Sequence, residues 1–111
     1  MSQVTTHVLD TALGRPAAGV PVALEQLVGG TWSPLAVAAT DADGRVAELG
    51  PEALESGRYR ITFDTASYFS ATGQIGFFPE VTLVFVVASS AEHYHVPLLL
   101  SPFGYSTYRG S

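Results

Sequence analysis

Cysteine is absent from this chain of 111 residues, which removes disulfides, thiolate catalysis and zinc–thiolate centres. Lysine is absent as well: the five basic residues are all arginine, Arg15, Arg45, Arg58, Arg60 and Arg109. A lysine Schiff base and a P-loop lysine are therefore excluded. Charge is scarce, at 14% of residues against 47% hydrophobic. So sparse a charge on so short a chain implies that another subunit covers part of the surface. The formal net charge of −5 is the wrong sign for neutralising phosphates, so no nucleic-acid partner is expected. No apolar run approaches the ~20 residues of a membrane span. The opening Met1-Ser2-Gln3-Val4-Thr5-Thr6 has neither the basic nor the apolar region of a signal peptide. No membrane partner and a cytoplasmic location are the resulting expectations.

What is present reads as short strands punctuated by turns, in a chain long enough for one domain spanning residues 1–111. Thr5 to Leu9 is a first strand. Val20, Val22 and Leu24 alternate with Pro21, Ala23 and Glu25 in a second, and Gly29-Gly30 is a hairpin signal before a third, Trp32 to Ala39. Asp41-Ala42-Asp43-Gly44 turns the chain and Arg45 opens a short fourth strand. Gly50 to Gly57 is a connector with room for one helical turn. Tyr59, Ile61 and Phe63 mark a fifth strand. Asp64 then fits an N-cap for a short helix from Thr65 to about Ala71, with Gly73 as its stop. Glu80–Ala88, Glu92–Leu100 and Tyr105–Arg109 complete eight strands. The expected class is all-β, two packed antiparallel sheets with one short helix.

Groups able to do chemistry at neutral pH are few. The only histidines are His7, His93 and His95. Side-chain alternation puts His93, His95, Pro97 and Leu99 on one strand face and His7 with Thr5 and Leu9 on another. His93, near a strand start, reads as a satisfied surface residue. The two histidines of His93-Tyr94-His95 could share a metal with His7, but no second such pair and no carboxylate cluster support this, and no metal or other cofactor is expected. Asp41 to Gly44 resembles the start of a calcium loop, but a Gly50-Pro51 break precedes the Glu52 that would end it. There is no Gly-x-Ser-x-Gly elbow for a serine nucleophile. Arg45 fits either a weak surface ion pair with Asp41 or Asp43 or a planar fork for an oxyanion. Arg58 and Arg60 read as the wet face of a strand. The end of the chain is unusual: Phe103, Tyr105, Tyr108 and Arg109 crowd a segment that is ordinarily frayed and polar.

Five stretches taken in order carry a resemblance. They are Thr5 to Thr11 with Gly14-Arg15-Pro16-Ala17; Thr40 to Arg45; Phe77-Phe78-Pro79-Glu80-Val81; His93 to Pro102; and Tyr108-Arg109-Gly110-Ser111. Together they resemble the 5-hydroxyisourate hydrolases, the transthyretin-related proteins of urate breakdown, from about Thr5 to the last residue. The resemblance implies a prealbumin-like sandwich of two four-stranded sheets. It implies a homotetramer, a dimer of dimers, with active sites at the dimer–dimer interface. It implies hydrolysis of 5-hydroxyisourate to 2-oxo-4-hydroxy-4-carboxy-5-ureidoimidazoline, with His7, Arg45, His95 and Ser111 catalytic. Substrate contacts would come from His7, Arg45, Tyr108, Arg109, Gly110 and Ser111. Either histidine could be the base, and Ser111 could act through its hydroxyl or its terminal carboxylate. Transthyretin itself carries a hormone in the equivalent channel, so a non-catalytic carrier is the alternative on the same fold. A purely structural adhesive module is a second one.

Overall fold

The computed structural model describes residues 2–111; Met1, at the head of the segment read above as lacking a signal, lies outside the described residues. Among the described residues, nine strands and one helix follow one another as β1 (Val4–Asp10), β2 (Arg15–Pro16), β3 (Pro21–Val28), β4 (Thr31–Ala39), β5 (Arg45–Leu49), β6 (Gly57–Phe63), α1 (Thr65–Ala71), β7 (Val81–Val87), β8 (Tyr94–Ser101) and β9 (Gly104–Thr107). Two sheets form. One runs β4-β3-β6-β7. The other runs β2-β1-β8-β9, with β5 also paired to β1. The two-residue β2 makes this second sheet five-stranded, one more than expected. It holds the far end of the β1 edge that β5 occupies, with Asp10 opposite Arg15 and His7 opposite Arg45.

One pairing departs from the expectation of antiparallel sheets. β1 and β8 run parallel, in register from Val4 opposite Tyr94 to Asp10 opposite Leu100. Most of the chain, including the whole of the other sheet, is the crossover between them. Strand direction across so long a connection leaves no local signal, whereas the β3–β4 hairpin does. Its loop is Gly29-Gly30, both at positive φ (57° and 80°), as a two-residue turn matched to strand twist requires. The connector from Gly50 to Gly57 holds no helical turn; Gln3 Oε1 accepts from the Leu54 amide there.

Alternation places the core. Val4, Thr6, Val8 and Asp10 of β1 are buried while Thr5, His7 and Leu9 are partly exposed. Val4, Val8, Leu98 and Leu100 from one sheet join Leu24, Ile61, Phe63 and Val81 from the other in a single apolar core. Asp10 is buried at 1% exposure and is fully satisfied. Oδ1 accepts from the Ala12 and Leu13 amides, and Oδ2 from Tyr68 Oη at 2.6 Å and Gln74 Nε2 at 3.0 Å. Burial alone would raise its pKa, but those four bonds outweigh it and hold the carboxyl below its ordinary range. Burial and the Asp10 carboxylate push the Tyr68 phenol up to about 12. The pair ties α1 to the end of β1. Asp64 caps α1, accepting from the Ser67 amide as expected. Among the described residues no helix is long and apolar enough to cross a membrane.

Candidate active site

The outward face of β1 and its neighbours gathers the residues singled out above. His7 and Thr5 project from β1 on the side away from the core. Arg45 enters opposite His7 because the Asp41–Gly44 turn packs on β1. The Val8 amide donates to Gly44 O at 2.7 Å, and Asp41 Oδ1 accepts from the Asp43 and Arg45 amides at 2.9 and 3.0 Å. Gly44 has φ of 74°, and a Cβ there would run into the Val8 carbonyl oxygen and approach Pro16 Cβ to 3.1 Å. Only glycine lets this turn lie so close to the strand. The Asp41 carboxylate is spent on backbone amides, so the ion pair considered for Arg45 does not form. Arg60, by contrast, is committed. It pairs with Glu25 at 2.7 Å and lies 4.4 Å from the Trp32 ring centroid. Among the described residues Arg45 has no salt bridge, and its side chain is exposed beside His7.

His95 joins this face through the parallel register, which sets it opposite Thr5 and leaves Pro97 opposite His7. Its Nδ1 lies 2.8 Å from Thr5 Oγ1, and the same hydroxyl lies 2.9 Å from His93 Nε2. Burial first, then the positive field of Arg45, then the His7 and His93 rings, push the His95 pKa below the ordinary 6.5; a backbone hydrogen bond at Thr5 opposes them. The neutral imidazole is thus favoured at neutral pH. His7 Nε2 sits 2.9 Å from the Asp43 carbonyl oxygen. A carbonyl only accepts, so this nitrogen carries hydrogen and the lone pair of neutral His7 is on Nδ1.

The chain end closes on His95 from the other side. Gly110 and His95 form an isolated antiparallel bridge, with the Gly110 amide donating to His95 O at 2.9 Å. The Gly110 Cα lies so near the imidazole that an added Cβ would overlap His95 Cδ2 and approach both His95 Cγ and Pro97 Cγ to 3.2 Å. Arg109 pins this segment down. Its guanidinium donates to His93 O at 3.3 Å, pairs with Glu92 at 3.6 Å and stacks 4.6 Å from the Tyr94 centroid. Ser111, one peptide beyond Gly110, is exposed, and Tyr108 is 58% exposed. His7, Arg45, His95 and the chain end therefore meet, while Arg109 is turned toward Tyr94 and Glu92. A cavity of about 450 Å³ opens between the edge strand β7 and the β8–tail edge. Its wall includes His95, Tyr108 and Arg109 but neither His7 nor Arg45. The chemically competent face is open in a single copy.

Thr5 is the site residue that sequence reasoning missed as a participant. It shares a face with His7, which the alternation reveals, but its meeting with His95 depends on the parallel pairing, which has no local signature. Among the described residues no three His, Asp or Glu are placed to hold a metal ion.

Comparison with known proteins sharpens these observations. The model of the HIUase/Transthyretin family matches residues 4–110. A 5-hydroxyisourate hydrolase of Salmonella dublin is 49% identical over 109 residues, covering 97% of this chain and 80% of the relative. The solved 5-hydroxyisourate hydrolase of Klebsiella pneumoniae is 40% identical, covers 100% of both chains and superposes with a TM-score of 0.88. Sea bream transthyretin in complex with thyroxine is 33% identical, covers 97% of this chain and 94% of its own, and gives a TM-score of 0.92. Backbone likeness to a hormone-binding protein is thus as high as to a hydrolase, and side chains must separate the two readings.

Proposed function

The chain belongs to the HIUase/Transthyretin family, and from that premise we infer that it is a 5-hydroxyisourate hydrolase of urate degradation. One observation carries the assignment: His7, Arg45 and His95 share an outward face, and the chain end closes on His95. A carrier needs no such set of titratable groups around an unpaired arginine.

The reaction is the hydrolysis of an amide-like ring bond in a flat, oxygen-rich molecule. Water must lose a proton as it attacks the carbonyl carbon, the oxyanion must be stabilised, and the leaving nitrogen must gain a proton as the C–N bond breaks. The His7 and His95 rings supply the acceptors, and burial with the field of Arg45 favours the neutral form of His95. Arg45 presents a planar fork of donors to ring oxygens and the developing oxyanion. Its fixed charge adds to burial in favouring neutral His95, ready to accept. Tyr108 and Arg109 line the cavity beside His95, and Gly110 and Ser111 would extend that wall toward the substrate. Ser111 offers a hydroxyl. Arg109 would contribute to substrate binding by holding this wall in place.

Because the face is open on one copy, we place the working site between subunits of a homotetramer, a dimer of dimers. Exposed apolar residues support this: Val84 at 58%, Val86 at 61% and Phe103 at 75% are poor surface residues for a lone chain. Light scattering should give four times the chain mass. A cytoplasmic location is in keeping with the cysteine-free composition, and cell fractionation followed by activity assay tests it.

The decisive assay follows the ultraviolet absorbance of freshly made 5-hydroxyisourate, corrected for spontaneous decay. Wild type should accelerate the decay, whereas His7→Asn and a chain ending at Thr107 should lose most of that acceleration while folding normally. A wild type no faster than buffer, yet able to bind a thyroxine-like ligand, would establish the carrier instead.

A further inference from the structure

The chemistry above leaves Thr5 and His93 without a role. Thr5 Oγ1 bridges His93 Nε2 at 2.9 Å and His95 Nδ1 at 2.8 Å. A hydroxyl has one proton, so it donates to one of these nitrogens and must accept from the other. The two rings are therefore coupled: one donates to Thr5 and the other accepts from it. In the first arrangement His95 carries its hydrogen on Nδ1 and leaves Nε2 free toward the site. In the reverse arrangement Nε2 is already protonated and His95 cannot take a proton from water.

We propose that Thr5 and His93 are positioning residues that hold His95 with its hydrogen on Nδ1 and relay that hydrogen outward when water is deprotonated. The inference rests on the reading of His95 as a catalytic base. The step balances as follows. The water O–H bond breaks and its proton binds His95 Nε2, leaving hydroxide to attack the substrate carbonyl. The His95 Nδ1–H proton passes to Thr5 Oγ1, and the Thr5 hydroxyl proton passes to His93 Nε2. His95 ends neutral in its other tautomer and His93 ends as the imidazolium. Reversal returns a proton through His95 to the leaving nitrogen.

The environment favours moving the charge. A cation on half-buried His95 would face Arg45 on β5 and His7 on β1. On exposed His93 it faces solvent, with Glu92 and Arg109 paired alongside. The same surroundings that make His95 a reluctant imidazolium leave it an effective acceptor if its second proton departs as the first arrives. The relay is built by the parallel register, since Thr5 and His95 are direct cross-strand partners.

The test compares kcat and KM for Thr5→Val, Thr5→Ser, His93→Gln and His95→Asn, each checked for normal thermal unfolding and assembly. Thr5→Val keeps the shape and removes the hydroxyl; its kcat should fall about tenfold to a hundredfold, within the usual range for disturbed acid–base catalysis, with KM nearly unchanged. Thr5→Ser should restore most of that loss. His93→Gln still hydrogen-bonds Thr5 but holds no extra proton, and its kcat should fall by a similar factor. Wild-type kcat in Thr5→Val, or a Thr5→Ser as slow as Thr5→Val, overturns the relay. Full activity in His95→Asn instead overturns the reading of His95 as the base, and the relay with it.

Discussion

Replacing Gly110 with alanine adds one methyl group to a solvent-facing chain end, a change that ordinarily does little. Here the methyl would overlap His95 Cδ2 and approach His95 Cγ and Pro97 Cγ to 3.2 Å. Carbon atoms rest at about 3.5–4.0 Å, so either the imidazole or the tail must move by roughly 1 Å. If the ring moves, its 2.8 Å bond from Nδ1 to Thr5 is stretched beyond hydrogen-bonding length. If the tail moves, the 2.9 Å bond from the Gly110 amide to His95 O is lost and Ser111 leaves with it. Either route disturbs the site, and a misplacement of about 1 Å can lower the rate by roughly a hundredfold. The effect on stability should stay small, about 1 kcal/mol for one exposed hydrogen bond. The assay is kcat/KM for 5-hydroxyisourate decay beside thermal unfolding. Gly104→Ala is the control, because its nearest atom, Ser101 Oγ, is 3.8 Å from the added carbon. A Gly110→Ala protein with wild-type kcat/KM would refute the reasoning, as would an equal loss in Gly104→Ala.

Arg45→Lys should lower kcat/KM by about a hundredfold or more, the effect of losing one oxyanion donor, because a point charge cannot replace a planar fork. Steady-state kinetics on the folded protein checks this. Since the His95 pKa is lowered, its ring protons should titrate below pH 6.5 by NMR, and protonation of His95 should begin to cost activity only as pH drops through that depressed value. Arg45→Gln removes part of the cause and should move the His95 titration upward, measured by NMR of the ring protons. Tyr68→Phe deletes a short bond to a buried carboxylate and should cost about 1.5–3 kcal/mol in denaturant unfolding at pH 7. Asp10 has a depressed folded pKa, so its stabilisation is complete above the ordinary 3.8 and is lost as pH falls through the lowered value. The gap between Tyr68→Phe and wild type should narrow over that window. A tag fused after Ser111 should impair activity far more than one fused before Met1, at equal folding and assembly.

Local physics was legible wherever a few neighbouring residues decide the outcome. The helix from Thr65 to Ala71 follows from its Asp64 cap, and the β3–β4 hairpin from two glycines that accept positive φ. The faces of β1 and β8 follow from strand alternation, which turned His7 and His95 outward together. What stayed hidden was non-local. The two-residue β2 is too short to carry a pattern, and the parallel direction of β8 against β1 is settled by the core rather than by either segment. Arg45 could not be assigned from spacing because the fate of the Asp41 carboxylate depends on turn geometry.

The chain by itself therefore determined the inventory. Without cysteine or lysine, the candidates for chemistry at neutral pH were His7, His95 and Arg45, with His93 read as a surface residue and the last four residues as candidate substrate contacts. Only the tertiary structure decided who meets whom. Parallel pairing sets Thr5 against His95, and the Gly44 turn sets Arg45 against His7. Gly110 brings the tail onto the imidazole because no side chain stands between them. The reason is physical: residue type and alternation are carried along the strand, but contact between strands far apart in sequence is fixed by the core they jointly bury.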